Sequence, residues 1–385
     1  MRLNDFDLSE DPFPIVPDGP VHNWAGREDL KEDLLDLVQG VRARDIGVTE
    51  FAVLHGELGA GKSHALRFLK TRITDESAKP EGDFRSLAIY IERPRVANKL
   101  NFLELQRYII RQIGRDRIAG YAHEVHEHIS TRARAIAAEK GMPPGGDLTS
   151  FRSLAVEEFR PNDRAMVKLL DATKLDDHKL YSFLLGEAGA PQGDYEQKVD
   201  SDFMAAKAIS DLFRILTSDR RDAPPILESI YLFIDESELL LEAKASESEL
   251  VFAGLREMIN GLPYRFCLIL SFSAATALIE ALMPTHLIKR MTRHYIEVPT
   301  LSDDEAVEFV RAQLNTFRDP ASQWYGTFYP FTEEAVRRIV ANQNSITPRT
   351  LFMAAKRVLE RALRKENLQP GDEITEEMAD SILMR

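Results

Sequence analysis

The stretch Gly56-Glu57-Leu58-Gly59-Ala60-Gly61-Lys62-Ser63 fits the spacing G-x-x-x-x-G-K-S, in which each fixed residue type meets a need of gathering several phosphate charges at one point. Glycines let consecutive backbone N–H groups turn inward at phosphate oxygens, and a helix starting there adds the positive end of its dipole. Lys62 would bring a charge to the outer phosphates and the Ser63 hydroxyl would bind Mg²⁺, with the cradle running from Gly56 through His64. The context is the one that such a loop needs. Phe51-Ala52-Val53-Leu54-His55 reads as a short buried strand entering the loop, and Leu66, Leu69 and Ile73 recur at helical spacing behind it. A nucleoside triphosphate is the expected ligand.

A second group of residues decides what happens to that ligand. Ile230-Tyr231-Leu232-Phe233-Ile234 is an apolar strand that ends in two acids, Asp235 and Glu236. Asp235 is placed to share the Mg²⁺ shell with Ser63, which leaves Glu236 to orient and polarise a water against the terminal phosphate. Water as the nucleophile means hydrolysis.

These residues need a frame to hold them. Apolar runs at Leu87 to Ile91, Phe266 to Leu270 and Tyr295 to Val298 join the two strands above, giving five short strands separated by helical patterns. That alternation predicts an α/β fold with a five-stranded parallel sheet flanked by helices. Between the second and third strands lie over a hundred residues with helical patterns near 101 to 113, 120 to 139, 150 to 159, 162 to 171 and 200 to 217, far more than one crossover needs. The expected organisation is an N-terminal arm over residues 1–25, an α/β core over 26–300 with a helical insertion at about 119–222, and a helical lid over 301–385. The proline-rich arm is expected to lie across the surface. The lid opens with Ser302-Asp303-Asp304-Glu305, a capping box; Thr332 and then Thr347-Pro348 begin two further helices.

Composition excludes several classes. No apolar run approaches the roughly 20 residues that span a bilayer, and the acidic start Met1-Arg2-Leu3-Asn4-Asp5-Phe6-Asp7 is unlike a signal peptide, so a cytoplasmic protein is expected. Cys267 is the sole cysteine and sits in an apolar run, which excludes internal disulfides and cysteine-rich zinc sites. His123-Glu124-Val125-His126-Glu127-His128 lacks zinc-protease spacing and reads as a polar helix face. A net charge of −13 argues against a basic coat for indiscriminate nucleic-acid binding, while leaving room for a local basic surface at Arg107, Arg111, Arg115 and Arg117, or at Lys289, Arg290 and Arg293.

The phosphate loop, the Asp235-Glu236 strand end and the capped helices after Pro299 together resemble the AAA+ ATPases, over roughly residues 20 to 95 and 225 to 365. Trp24-Ala25-Gly26-Arg27-Glu28 ahead of the first helix is most similar to the initiator branch, which includes origin-recognition ATPases and regulators of DNA transposition. Leu232 to Leu240 after a long insertion also resembles ATPases of BREX-like phage defence. The resemblance implies ATP as the nucleotide, a polar first sensor at Ser271 or Ser273, an arginine finger for a neighbouring subunit at Arg290 or Arg293, and a second sensor at Arg349 in the first turn of a lid helix. Surface arginines remain the alternative for both fingers and sensor. It further implies a homo-oligomer acting with double-stranded DNA or with proteins of a DNA-processing system, and no membrane. Origin-recognition relatives continue into a winged-helix domain, whereas the sequence reaches Arg385 shortly after the lid, so DNA contact is expected from the core or insertion. Two other readings stay open: a protein-remodelling or signalling ATPase whose insertion binds a protein, and a small-molecule kinase.

Overall fold

Five apolar runs form five strands: β1 Glu50–His55, β2 Ser86–Ile91, β3 Ser229–Ile234, β4 Phe266–Phe272 and β5 Tyr295–Glu297. The computed structural model describes residues 3–14, 20–42, 49–78, 85–94, 100–143, 145–172, 177–190, 198–291, 295–365 and 368–384. All strand pairs are parallel, in the order β2-β3-β4-β1-β5. The order places β4 between β1 and β3. The register Leu54↔Ser271 and Ile234↔Leu270 then brings the end of β4 between the loop leaving β1 and the acids leaving β3.

Both faces of the sheet are covered, which is why β1, β3 and β4 are buried along their whole length and read as continuous apolar runs. On one face α1 (Glu28–Arg42) and α2 (Lys62–Ser77) pack over Ala52, Leu54, Tyr90, Phe233 and Ile269. On the other, Phe51, Ile89, Leu232 and Leu268 meet α3 (Phe102–Ile113), α8 (Asp202–Thr217) and α10 (Ala245–Gly261).

The long stretch between β2 and β3 shares that second core. α4 (Arg115–Glu139), α5 (Thr149–Glu157), α6 (Arg164–Ala172) and α7 (Asp177–Leu184) stack outward from α3 and α8 in one continuous apolar cluster with the sheet. α7 has no clear sequence signal; it is held by Gln106 and Arg107, whose side chains donate to the carbonyls of Leu184 and Leu185 at its C-terminal end. Two short helices, α9 (Glu238–Glu242) and α11 (Thr276–Leu282), follow β3 and β4, and α12 (Thr285–Ile288) precedes β5.

After the sheet come α13 (Asp303–Thr316), α14 (Glu333–Ala341), α15 (Pro348–Lys365) and α16 (Glu376–Leu383), with their own core. The Ser302–Glu305 capping box forms, and Thr332 caps α14 through the Ala335 N–H. The N-terminal arm departs from expectation. Phe6, Leu8 and Phe13 are fully buried in the core of the lid, with Phe13 against Phe331 and Phe352 and Phe6 against Tyr329. Apart from a 3-10 turn over Leu3–Phe6, its described residues form no helix or strand, which does not stop its apolar side chains from filling a neighbouring core.

Candidate nucleotide site

β1 runs straight into the phosphate loop, and the loop's glycines hold positive φ angles of 156° at Gly56, 83° at Gly59 and 108° at Gly61. Close approach excludes side chains at two of them. A Cβ on Gly56 would lie 2.4 Å from the Val298 carbonyl oxygen, and one on Gly59 would lie 2.8 Å from the Arg349 Cβ. Lys62 is buried and its Nζ donates to the Gly56 and Glu57 carbonyls at 2.9 and 2.7 Å, so its ammonium lies over the cradle. Burial lowers its pKa; the charges of Glu238 and Asp235 oppose this shift and that of Arg349 adds to it. The ammonium therefore sits where Asp235, α9 and the lid converge. Ser63 follows it in the first turn of α2.

Asp235 is 3% exposed, and its carboxylate is fixed at both oxygens: the Tyr90 hydroxyl donates to Oδ2 at 2.8 Å and the Glu236 N–H to Oδ1 at 3.0 Å. Burial, followed by the adjacent Asp235 charge, pushes the Tyr90 phenol well above its ordinary range, so it stays a donor. Arg67 of α2 lies over the Tyr90 ring, 5.2 Å from its centre. A buried carboxylate so fixed, together with a serine hydroxyl in the first turn of the helix after the loop, is the kind of oxygen donor that suits a hard divalent cation such as Mg²⁺. Replacing Tyr90 by Phe keeps the ring and removes the donor. The expected result is about tenfold less Mg²⁺-dependent tightening of nucleotide binding, with binding in EDTA unchanged, read by titration of a fluorescent ATP analogue.

Glu236 adopts φ 46°, an unusual conformation for a non-glycine residue, and its Oε2 pairs with Arg93 Nε at 2.7 Å beyond the end of β2. Burial raises its pKa, an effect that Arg93 opposes. A carboxylate with raised basicity, half-exposed beside a fixed one, can accept a proton from water.

The candidate sensors stand differently. Ser271 is fully buried on the same sheet face as Cys267 and Ile269, and its Oγ has no hydrogen-bond partner among the described residues. Ser273 lies past the strand end, where its N–H meets Glu238. Arg349 is exposed at the first turn of α15, its N–H directed at the Gly59 carbonyl at 3.4 Å. Ser345 donates to Glu57 at 2.6 Å, so the lid meets the loop at two further points. Arg290 is exposed beyond α12 and makes no ion pair among the described residues; Arg293 falls outside the described residues.

Three contributors had no motif of their own. Tyr90 and Arg93 are brought by sheet pairing of β2 with β3. Arg27 donates through Nη1 to the Ala60 carbonyl at 2.7 Å and the Pro299 carbonyl at 3.0 Å, tying the loop to the chain that leaves β5. Only the short Gly26-Arg27-Glu28 signal ahead of α1 pointed there. His64, half-buried beneath Trp24, has its pKa lowered to about 4 by burial and then by Arg27. A folded pKa below the unfolded value of about 6.5 means the unfolded chain takes up the proton first, so stability is full above pH 6.5 and declines as pH falls toward 4. Residual solvent contact limits the effect to on the order of 1 kcal/mol at pH 5. Urea unfolding at pH 7 and pH 5 should show this loss in the wild type and not in His64→Asn.

Side chains of the histidine-rich stretch are engaged within the insertion. His126 pairs with Asp171 at 2.8 Å beside Arg152, and His128 packs edge-on against Phe159. No group of three metal-ligating side chains occurs among the described residues. The polar face expected there is instead partly turned inward between helices of the insertion. Arg107 is likewise committed internally, to Glu104 and Leu185. No described helix is long and apolar enough to cross a membrane.

Sheet order, phosphate loop, strand-end acids and helical lid together define a P-loop α/β fold with a helical lid. The Aeropyrum pernix ORC2 protein, solved as ADPNP–ADP complexes, superposes with a TM-score of 0.54 at 14% identity, over 98% of this chain and 72% of that one. The Aeropyrum pernix ORC1 protein, solved in complex with DNA, gives 0.52 at 11% identity, over 97% of this chain and 68% of that one. At such identities the fold is what is shared. No protein-family model matches the chain, and no curated protein matches its sequence.

Proposed function

We propose that this protein is an ATPase that hydrolyses ATP to switch or assemble a DNA-processing complex. The convergence of Lys62, Asp235 and Glu236 at the ends of β1 and β3, beneath Arg349 of the lid, carries the reading. The loop and Lys62 hold the phosphates, and Ser63 with Asp235 would hold Mg²⁺, which when bound withdraws charge from the outer phosphate oxygens. Glu236 takes the proton of the attacking water as its oxygen bonds to the terminal phosphorus and the bond to the bridging oxygen breaks. Ser271 or Ser273 would touch the terminal phosphate or the water. Arg349 couples lid position to the state of the nucleotide. Arg290 or Arg293 would complete a neighbouring copy's site, which makes the protein a homo-oligomer.

A DNA partner is supported by a shared fold that includes a protein solved with DNA. Defence, transposition and replication systems all fit this assignment. The net charge of −13, with a helical insertion continuous with the core, favours a second reading in which a protein is the target. Steady-state ATP hydrolysis at low salt, with and without double-stranded DNA, separates them. Stimulation by DNA that is absent in Glu236→Gln supports the first; turnover indifferent to DNA supports the second.

A further inference from the structure

Two helices carry opposite charge on faces that are exposed among the described residues. α1 buries Leu30, Leu34, Leu37 and Val41, and turns outward Asp29, Glu32, Asp33 and Asp36, spaced i, i+3, i+4, i+7 on one stripe. None of these four forms an ion pair among the described residues. Like charges one turn apart repel, so the stripe favours a cationic partner. α15 has six basic residues and one acidic residue. Its buried side is Leu351, Ala355, Val358 and Ala362, and its outward stripe runs Met353, Arg357, Glu360, Arg364. Elsewhere in the lid Arg311, Arg337 and Arg338 each hold a carboxylate, whereas Arg357 and Arg364 hold none among the described residues.

Both helices start beside the phosphate loop, with Arg27 and Pro348 flanking Gly61, yet no ion pair links their stripes within the chain. Complementary patches that cannot meet within one molecule can meet between two. Met353, 53% exposed, and Glu360 interrupt the basic stripe; an apolar and an acidic side chain suit a protein surface better than a phosphate backbone. We infer that copies of this chain associate by seating the acidic α1 stripe of one on the basic α15 stripe of another. This specifies a face for the self-association in the proposed function and does not depend on a trans arginine.

The test is sedimentation velocity of the full chain with ATP and Mg²⁺ at about 50 mM and about 500 mM salt, where screening should weaken assembly. Asp33→Lys/Asp36→Lys and Arg357→Glu/Arg364→Glu should each weaken association by roughly tenfold, since each sets like charges against one another. The chain carrying all four changes should regain assembly, which a folding defect could not produce. Assembly unaltered by either pair overturns the assigned face while leaving self-association standing. A wild type that stays monomeric with measurable ATP turnover overturns self-association itself. Loss of binding to a labelled DNA duplex in Arg357→Glu/Arg364→Glu, with wild-type sedimentation, assigns the stripe to DNA and overturns the proposal.

Discussion

Replacing Glu236 by glutamine is expected to slow ATP hydrolysis by roughly a hundredfold or more while leaving ATP binding close to that of the wild type. The separation follows from where the charges lie. In the proposed site Lys62 and the glycine loop would hold the phosphates, and Asp235 is fixed independently by Tyr90, so the amide at 236 disturbs neither. What it removes is the proton acceptor, whose basicity is raised by burial. The loop N–H that supports Asp235 belongs to the backbone of residue 236 and survives the substitution. Single-turnover hydrolysis beside equilibrium titration of an ATP analogue gives both quantities. Equal losses in the two would move the water-activating role to another residue, such as Glu238, whose charge also acts on Lys62.

Gly59→Ala is the second large effect, and its cause lies in the lid. Gly59 has φ 83°, which costs an L-residue about 1–2 kcal/mol. Its new methyl would also stand 2.8 Å from the Arg349 Cβ and 3.2 Å from the Thr347 Oγ1, so either the loop changes shape or α15 moves off it. Affinity for ATP should fall by tenfold or more, about 1.4 kcal/mol per decade. Gly61→Ala gives the control: φ is 108°, but its nearest neighbour is the Arg27 Nη2 at 3.4 Å, an ordinary contact distance. Its loss reflects backbone strain alone and should leave the protection of α15 amides from hydrogen exchange unchanged, whereas Gly59→Ala should reduce it. Equal exchange in both variants would mean that the lid is not seated on the loop in solution.

The two halves of the site were legible in different degrees. Phosphate-loop residues are contiguous, and their chemistry dictates glycines and a lysine at fixed spacing, so Gly56 to Ser63 could be read directly. Asp235 and Glu236 were legible because an apolar strand must stop somewhere, and two acids at its end stand out against it. Tyr90, Arg93 and Arg27 were not. A tyrosine in an apolar strand reads as core, and Tyr90 is indeed buried; only pairing of β2 with β3 turns its hydroxyl to Asp235. The arm shows the converse, since proline marked it correctly as irregular, but the destination of Phe6, Leu8 and Phe13 depends on a cavity supplied by residues more than three hundred positions away.

The sequence by itself determined the five strands, the loop, the acid pair and the capped helices of the lid, because each is set by interactions among residues close along the chain: alternation of burial, backbone turns and helix ends. The tertiary structure alone decided the strand order that places β4 between β1 and β3, the seating of Arg349 and Arg27 against the loop, and the outward turn of the α1 and α15 stripes. Those depend on which apolar faces fit together across long separations, and local sequence does not encode which distant surface will cover a given face.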